Sequence, residues 1–245
     1  MAGHSQYANI KHRKNAQDAK RARKFTKLRR EILVAARSGL PDPEFNPRLR
    51  SALANARRCG LPKDKIESAI RSSADKTEGD YQEVCYMAAG SGAVWPSGFA
   101  VVVTALTDNK NRTASNIKHI FSKSGLVLAD VSFMFENFGV FSYPKSTDLD
   151  TLMEVALEAG ALDVKTGKNC FDIYCSKENF AATSAELRKK LGEYEHSGLV
   201  WIAKTHQEAS QEVHARLEKL VDTLEEDDDV QRVYTSILTE QESEK

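Results

Sequence analysis

Residues 3–30, GHSQYANIKHRKNAQDAKRARKFTKLRR, carry ten Lys or Arg side chains between Lys11 and Arg30, opposed only by Asp18. Such a density of like charge repels itself unless a polyanion lies nearby, which makes nucleic acid the natural partner of the stretch. Its apolar residues set its form. Phe25, Leu28, Ile32 and Ala36 follow helical spacing, with Leu33 and Ala35 beside them, and predict a helix over 16–38. Gly39 suits a left-handed position just after that helix, and PDPEFNP then reads as a rigid loop.

Two more helices complete a basic bundle. Asn46 followed by Pro47 is an N-cap with proline in the first turn, and Leu49, Ala52, Leu53 and Ala56 supply one apolar face before Gly60. Arg48, Arg50, Arg57 and Arg58 lie on its other faces. A third helix begins near Pro62 with Ile66, Ala69 and Ile70. Nothing in the bundle reads as a helix-turn-helix pair or fixes a recognition helix.

Charge is segregated along the chain. Residues 1–71 hold 18 Lys/Arg against 6 Asp/Glu, a net +12, and residues 72–245 hold 17 against 29, a net −12, so the overall zero conceals a basic module on an acidic body. That arrangement favours an oriented approach to a polyanion. The length allows one to three domains. No apolar run reaches membrane-spanning length and the N-terminus lacks an apolar signal core, so the expectation is a cytoplasmic protein without membrane association. Cys59, Cys85, Cys170 and Cys175 form no C-x-x-C and read as free thiols, not a zinc site.

Glu78-Gly79-Asp80 marks a break before the acidic body, and residues 90–98, GSGAVWPSG, are a turn-rich loop. FAVVVTAL, 99–106, is a continuous β-branched run and predicts a buried strand. TDNKNRT, 107–113, is a polar loop ending at Thr113 as N-cap of a helix over 114–124. Residues 126–137 return as a strand with Val131, Phe133 and Phe135 alternating. In TDNKNRT, Lys110 and Arg112 could offer donors to phosphate at a helix N-terminus, or the Asp and Asn residues could merely shape the turn. Residues 138–205 then read strand, helix, two strands, helix, strand, the order of a ferredoxin-like split βαβ unit. The helix 207–224 and the strand 230–235 are placed to complete the earlier sheet, and the acids of 225–229 between them read as a solvated turn. The expected fold is therefore α+β: a basic three-helix domain, 1–78, then an α/β domain from 79–137 plus 206–245, with a ferredoxin-like α/β domain, 138–205, inserted in it.

Catalytic signatures are missing. The chain has no Walker, dinucleotide-binding, H-E-x-x-H or G-x-S-x-G motif, and its six His are scattered. A non-enzyme without cofactor, metal or small-molecule substrate is expected, as a monomer.

GHSQYANIKHRK at the start, Asn46-Pro47-Arg48-Leu49-Arg50, Leu61-Pro62-Lys63-Asp64-Lys65-Ile66-Glu67, TDNKNRT and LVDTLEEDDDVQRVY together resemble the YebC/PmpR family. Gln6, Tyr7 and Lys110 depart from the usual family residues, and the 90–98 loop is longer. The resemblance implies a three-domain fold with a helical first domain and a probable DNA-binding regulator of transcription. Some members look like translation factors acting at the ribosome, so ribosomal RNA is the alternative partner. The residues expected to meet nucleic acid are Lys11, His12, Arg13, Lys14, Lys20, Arg21, Arg23, Lys24, Lys27, Arg29, Arg30, Arg57, Arg58, Lys110 and Arg112.

Overall fold

The computed structural model describes residues 3–74, 79–90 and 92–237, with side chains described from Asp18 onward. The first helix is longer than its apolar spacing implies: α1 runs from Gly3 to Arg37. Its C-terminal half supplies the apolar stripe. Leu28, Ile32, Ala35 and Ala36 pack on Leu49, Ala52, Leu53 and Ala56 of α2 (Pro47–Arg58) and on Ile66 and Ala69 of α3 (Lys63–Ser72). Each fully buried Leu or Ile among them stabilises the fold by about 1.5–3 kcal/mol. The alanines of α2 let the neighbouring helices approach closely.

Asn46 closes this bundle twice over. Its side-chain oxygen accepts from Leu49 N at 3.0 Å, capping α2, while its amide donates to Ala35 O at 2.8 Å and Leu40 O at 2.9 Å at the end of α1. Gly39 is needed for a reason other than the left-handed backbone expected of it. It is absent from the glycines with positive φ, and a Cβ there would stand 2.8 Å from the Asn46 amide nitrogen. Gly60, in contrast, does turn the chain at φ 72 after α2.

The first sheet joins β1 (Gln82–Gly90), β2 (Ala100–Thr107), β3 (Leu126–Leu128) and β8 (Val230–Thr235) in the order β3-β1-β2-β8, all antiparallel. α4 (Lys110–Lys123) and α7 (Gln211–Glu225) cover one face, where Val101 and Val103 meet Ile117, Phe121, Leu217 and Leu224. On the other face Ala100 and Val102 meet Val131, Phe135 and Ala203. β2 is thus buried on both sides, which is why it reads as an unbroken apolar run and not as an alternation.

The second sheet is built from β4 (Phe135–Pro144), β5 (Asp163–Thr166), β6 (Cys170–Ser176) and β7 (His196–Ala203) in the order β5-β6-β4-β7, also antiparallel. With α5 (Leu149–Glu158) after β4 and α6 (Phe180–Leu191) after β6, this is the split βαβ order expected from the sequence. Phe141, Tyr143, Ile173 and Leu187 form its core under the two helices. The chain as a whole is α+β, helices first and antiparallel sheets after. Among the described residues no helix is long and apolar enough to cross a membrane.

Several local expectations are corrected. The single strand expected over 126–137 is three elements: β3, a 3-10 turn at Ser132–Met134, and the start of β4. Asp130 makes the break, accepting from Ser132 N at 2.9 Å, and Phe133 points out at 71% exposure instead of alternating inward. α4 starts at Lys110 with Asn109 as its cap, so Thr113 is an internal, buried residue and not an N-cap. β1, QEVCYMAAG, is an element beyond those expected, although it holds the six-residue apolar run Val84–Ala89.

Candidate nucleic-acid interface

The basic residues of α1 divide by helical face. Lys20, Arg23, Lys27 and Arg30 recur at three- and four-residue spacing and so share one side of the helix. That side lies against the C-terminal end of α7 and the acidic turn after it. Lys20 Nζ is 3.2 Å from Asp222 and Arg23 Nη1 is 3.6 Å from Glu226, both pairs open to solvent. Lys27 Nζ donates to the Glu225 carbonyl at 2.7 Å. A helix C-terminus with unpaired carbonyls attracts a cation in just this way. Burial lowers the Lys27 pKa, and the negative charges of Glu225, Asp228 and Asp227 only partly oppose the effect.

Arg30 ends the row and is the most enclosed. Its Nη1 donates to Leu106 O at 2.9 Å, Asp228 O at 2.8 Å and Asp229 Oδ1 at 2.9 Å, and its guanidinium lies 4.7 Å from the centre of the Tyr81 ring. The two side chains of the Arg30–Asp229 pair are 12% and 5% exposed. The turn expected to be solvated therefore has a buried carboxylate at its end.

Asp229 is the hub that organises TDNKNRT. Its second oxygen accepts from Thr107 Oγ1 at 3.0 Å, Thr113 Oγ1 at 2.6 Å and Arg112 Nη2 at 2.8 Å. Arg112 Nη2 also meets Asp108 at 2.9 Å, and Asn109 accepts from Arg112 N at 3.1 Å to cap α4. Burial by itself would raise the Asp229 pKa. The hydrogen bonds from Arg112, Thr113 and Thr107 and the charge of Arg30 outweigh it and hold the carboxyl below the usual range. Three residues of the motif thus converge on one carboxylate from the far end of the chain, while Lys110, at the first turn of α4, stays exposed.

The other expected residues fall as follows. Lys11, His12, Arg13 and Lys14 lie on the N-terminal half of α1, and their side chains are outside the described residues. Arg21 and Lys24 are exposed on α1, Arg21 with its guanidinium 5.2 Å from the Phe25 ring centre. Arg29 is half-buried on the same helix. Arg57 and Arg58 are exposed at the C-terminal end of α2. The structure thus brings Lys20, Arg23, Lys27, Arg30 and Arg112 together around one acidic turn and leaves Arg21, Lys24, Arg57, Arg58 and Lys110 at the surface.

Sequence reading missed the residues that fix the bundle to the body. Ser197 Oγ, on β7, donates to Ser51 Oγ at 2.6 Å, Asn55 Nδ2 donates to Ser197 O at 3.3 Å, and His196 Nδ1 hydrogen-bonds the Asn55 side-chain oxygen. Small polar residues inside an Ala-rich helix face are the only trace of this seam in the sequence. Among the described residues no group of three or more His, Cys, Asp or Glu side chains could hold a metal ion.

Comparison with known proteins covers nearly the whole chain. Residues 5–76 match the family model described as the TACO1/YebC protein N-terminal domain, and residues 81–237 match the one described as the TACO1/YebC second and third domain. A protein of Neorickettsia sennetsu (strain ATCC VR-367 / Miyayama) named probable transcriptional regulatory protein is 89% identical over 245 residues, covering 100% of both chains. Among solved structures, the conserved hypothetical protein Aq1575 from Aquifex aeolicus is similar at 38% identity with a TM-score of 0.75, covering 91% of this chain and 92% of that one.

Proposed function

The chain belongs to the TACO1/YebC family of regulatory proteins, and from that premise we propose that it binds nucleic acid through α1, as a DNA-binding regulator of transcription. The observation that carries the reading is the charge design of α1. One side of a continuous helix is already matched, cation by cation, to carboxylates and carbonyl oxygens of the same chain. A surface that fits the protein's own anions at helical spacing fits phosphates as well.

The partners divide the cations by role. Arg21 and Lys24, with Lys11, His12, Arg13 and Lys14 upstream, make first contact with the polyanion. Lys20 and Arg23, in solvent-exposed pairs, exchange a carboxylate for a phosphate at little cost. Lys27 and Arg30 stay with the acidic turn and hold α1 at a fixed angle to the body. Arg112 likewise stays with Asp229 and Asp108, and Arg29, Arg57, Arg58 and Lys110 are secondary contacts. The working units are 1–78, 79–137 plus 206–245, and 138–205, in a cytoplasmic monomer without catalytic activity or cofactor.

A second reading, an RNA-binding translation factor acting on the ribosome, is favoured by one observation. α2, with four Arg in twelve residues, packs between α1 and β7. Its Arg48 pairs with Glu83 and its Arg50 donates to Pro43 O and Glu44 O, so it is not free to lie in a major groove. Binding of the full chain to duplex DNA of varied sequence and to ribosomal RNA, followed across a salt series, separates the two. Discrimination among duplexes supports the first, and preference for RNA with equal, weak binding to all duplexes supports the second.

A further inference from the structure

Helices cover one face of the second sheet. Residues paired across antiparallel strands point to the same side. Phe141, Phe171 and Ile173 point toward α5 and α6 and build the core there. The opposite side carries Gly198, Val140, Tyr174 and Asp163 as one row across the sheet, with Val200, Phe138 and Ser176 as the next. Phe138, Val200 and Tyr174 are half-buried and take part in none of the apolar cores, while Val140 between them is buried.

Phe138 and Tyr174 sit on β4 and β6, the two middle strands, with ring centres 6.2 Å apart and planes at 88°. Both rings are half-exposed. An exposed cation stands at one edge of the face. Lys165 Nζ, on the outer strand β5, is 5.1 Å from the Tyr174 ring centre. At the other edge the Arg232 guanidinium, enclosed and hydrogen-bonded with Tyr234, closes the face over β7, and a Cβ on Gly198 would stand 3.4 Å from its Nη1. The register across four strands assembles these groups, from stretches that look unremarkable singly.

Two aromatic rings on the central strands of a four-stranded sheet, with a lysine at the rim, are suited to unstacked bases: the rings stack on base faces and Lys165 meets the backbone. We infer that this face is a second nucleic-acid site, distinct from α1, that takes the unpaired bases of a single strand. Acidic residues shape its character. Asp172 is engaged by Ser142 Oγ at 2.5 Å and Cys170 Sγ at 3.6 Å, and Asp163 and Glu136 at the rim offset the nearby cations. Binding here rests on stacking more than on phosphate charge and depends only shallowly on salt, unlike binding at α1. An apolar protein segment is the poorer fit, because Ser176, Asp163 and Lys165 interrupt the apolar surface.

The test uses the full chain and labelled, unstructured ten-nucleotide RNA and DNA of one sequence, with a duplex as control. Phe138→Ala and Tyr174→Ala each weaken single-strand binding about tenfold, and Phe138→Tyr and Tyr174→Phe retain it. Duplex binding and the salt slope stay at wild-type values. Equal affinity for RNA and DNA assigns the site to bases alone, and a preference for RNA adds contact to the 2′-hydroxyl; both support the site. Unchanged single-strand affinity in the alanine variants overturns it, including the case in which the face serves a protein segment instead. As a check that does not depend on variant folding, thio-substituted single strands crosslinked to the wild-type chain should mark peptides containing Phe138 or Tyr174, and crosslinks confined to other peptides overturn the inference. A failure at α1 would instead abolish duplex binding while leaving these results intact.

Discussion

Arg30 and Asp229 are 199 residues apart in sequence and form an ion pair of 2.9 Å from which solvent is nearly excluded. Removing one member of a buried pair leaves the other charge unpaired, which costs about 3–5 kcal/mol. Asp229→Ala also strips Thr107, Thr113 and Arg112 of their shared acceptor. Its stability in urea should fall by roughly 3 kcal/mol, whereas Asp222→Ala, at the exposed end of the same row, should change it by less than about 1 kcal/mol. Equal effects of the two substitutions would contradict the hub.

Acid should reveal the same carboxylate. The folded pKa of Asp229 is depressed, so its contribution to stability is complete above its unfolded value, about 3.9, and is lost as pH falls through the folded value. Asp130 and Asp148, held by hydrogen bonds from Ser132 and Thr151, are depressed as well and add to the same slope. Wild-type stability should therefore decline below about pH 4, and the decline should be shallower in Asp229→Asn, as read from urea titrations at several pH values.

The legible and illegible parts of this chain differ in range. The bundle was readable because Asn46-Pro47 and the apolar spacing of α2 act within a few residues. The order of elements in 138–205 was enough to give the split βαβ arrangement, since each strand and helix carries its own pattern. The environment of Asp229 was not readable, because its partners come from residues 30, 107, 112 and 113. A run of five acids looks solvated until the fold sets a basic helix beside it. Likewise Phe138 and Tyr174 become neighbours only through strand register. The excess positive charge of residues 1–71 and its negative counterpart were the one sequence signal that anticipated the contact between α1 and the acidic turn.

Asn46 gives a local test of the bundle. Asn46→Ala removes the α2 cap and two donated hydrogen bonds to the end of α1. A loss of about 2 kcal/mol in denaturant unfolding is expected. Asn46→Asp keeps the capping oxygen but sets a carboxylate oxygen against the Ala35 and Leu40 carbonyls in a buried site, and should cost at least as much as Asn46→Ala.

The acidic turn competes with nucleic acid for Lys20 and Arg23. Asp222→Asn combined with Glu226→Gln frees both cations and should tighten binding to DNA or RNA severalfold at low salt, each exposed pair contributing up to about 1 kcal/mol. The gain should vanish near 0.5 M salt, where screening shortens the reach of exposed charges. Fluorescence anisotropy titrations of the variant and the wild type check this, and unchanged affinity at low salt would mean that the two cations take no part.

The central claim, that α1 is the polyanion-binding element, is tested most directly by the salt dependence of binding. Arg21→Gln with Lys24→Gln removes two exposed cations that do not line the acidic turn. If both meet phosphates, the slope of log affinity against log salt concentration falls in magnitude by about 1.4–1.8 relative to the wild type, the value depending on whether the ligand is a single strand or a duplex. Affinity and slope that both match the wild type would contradict the account.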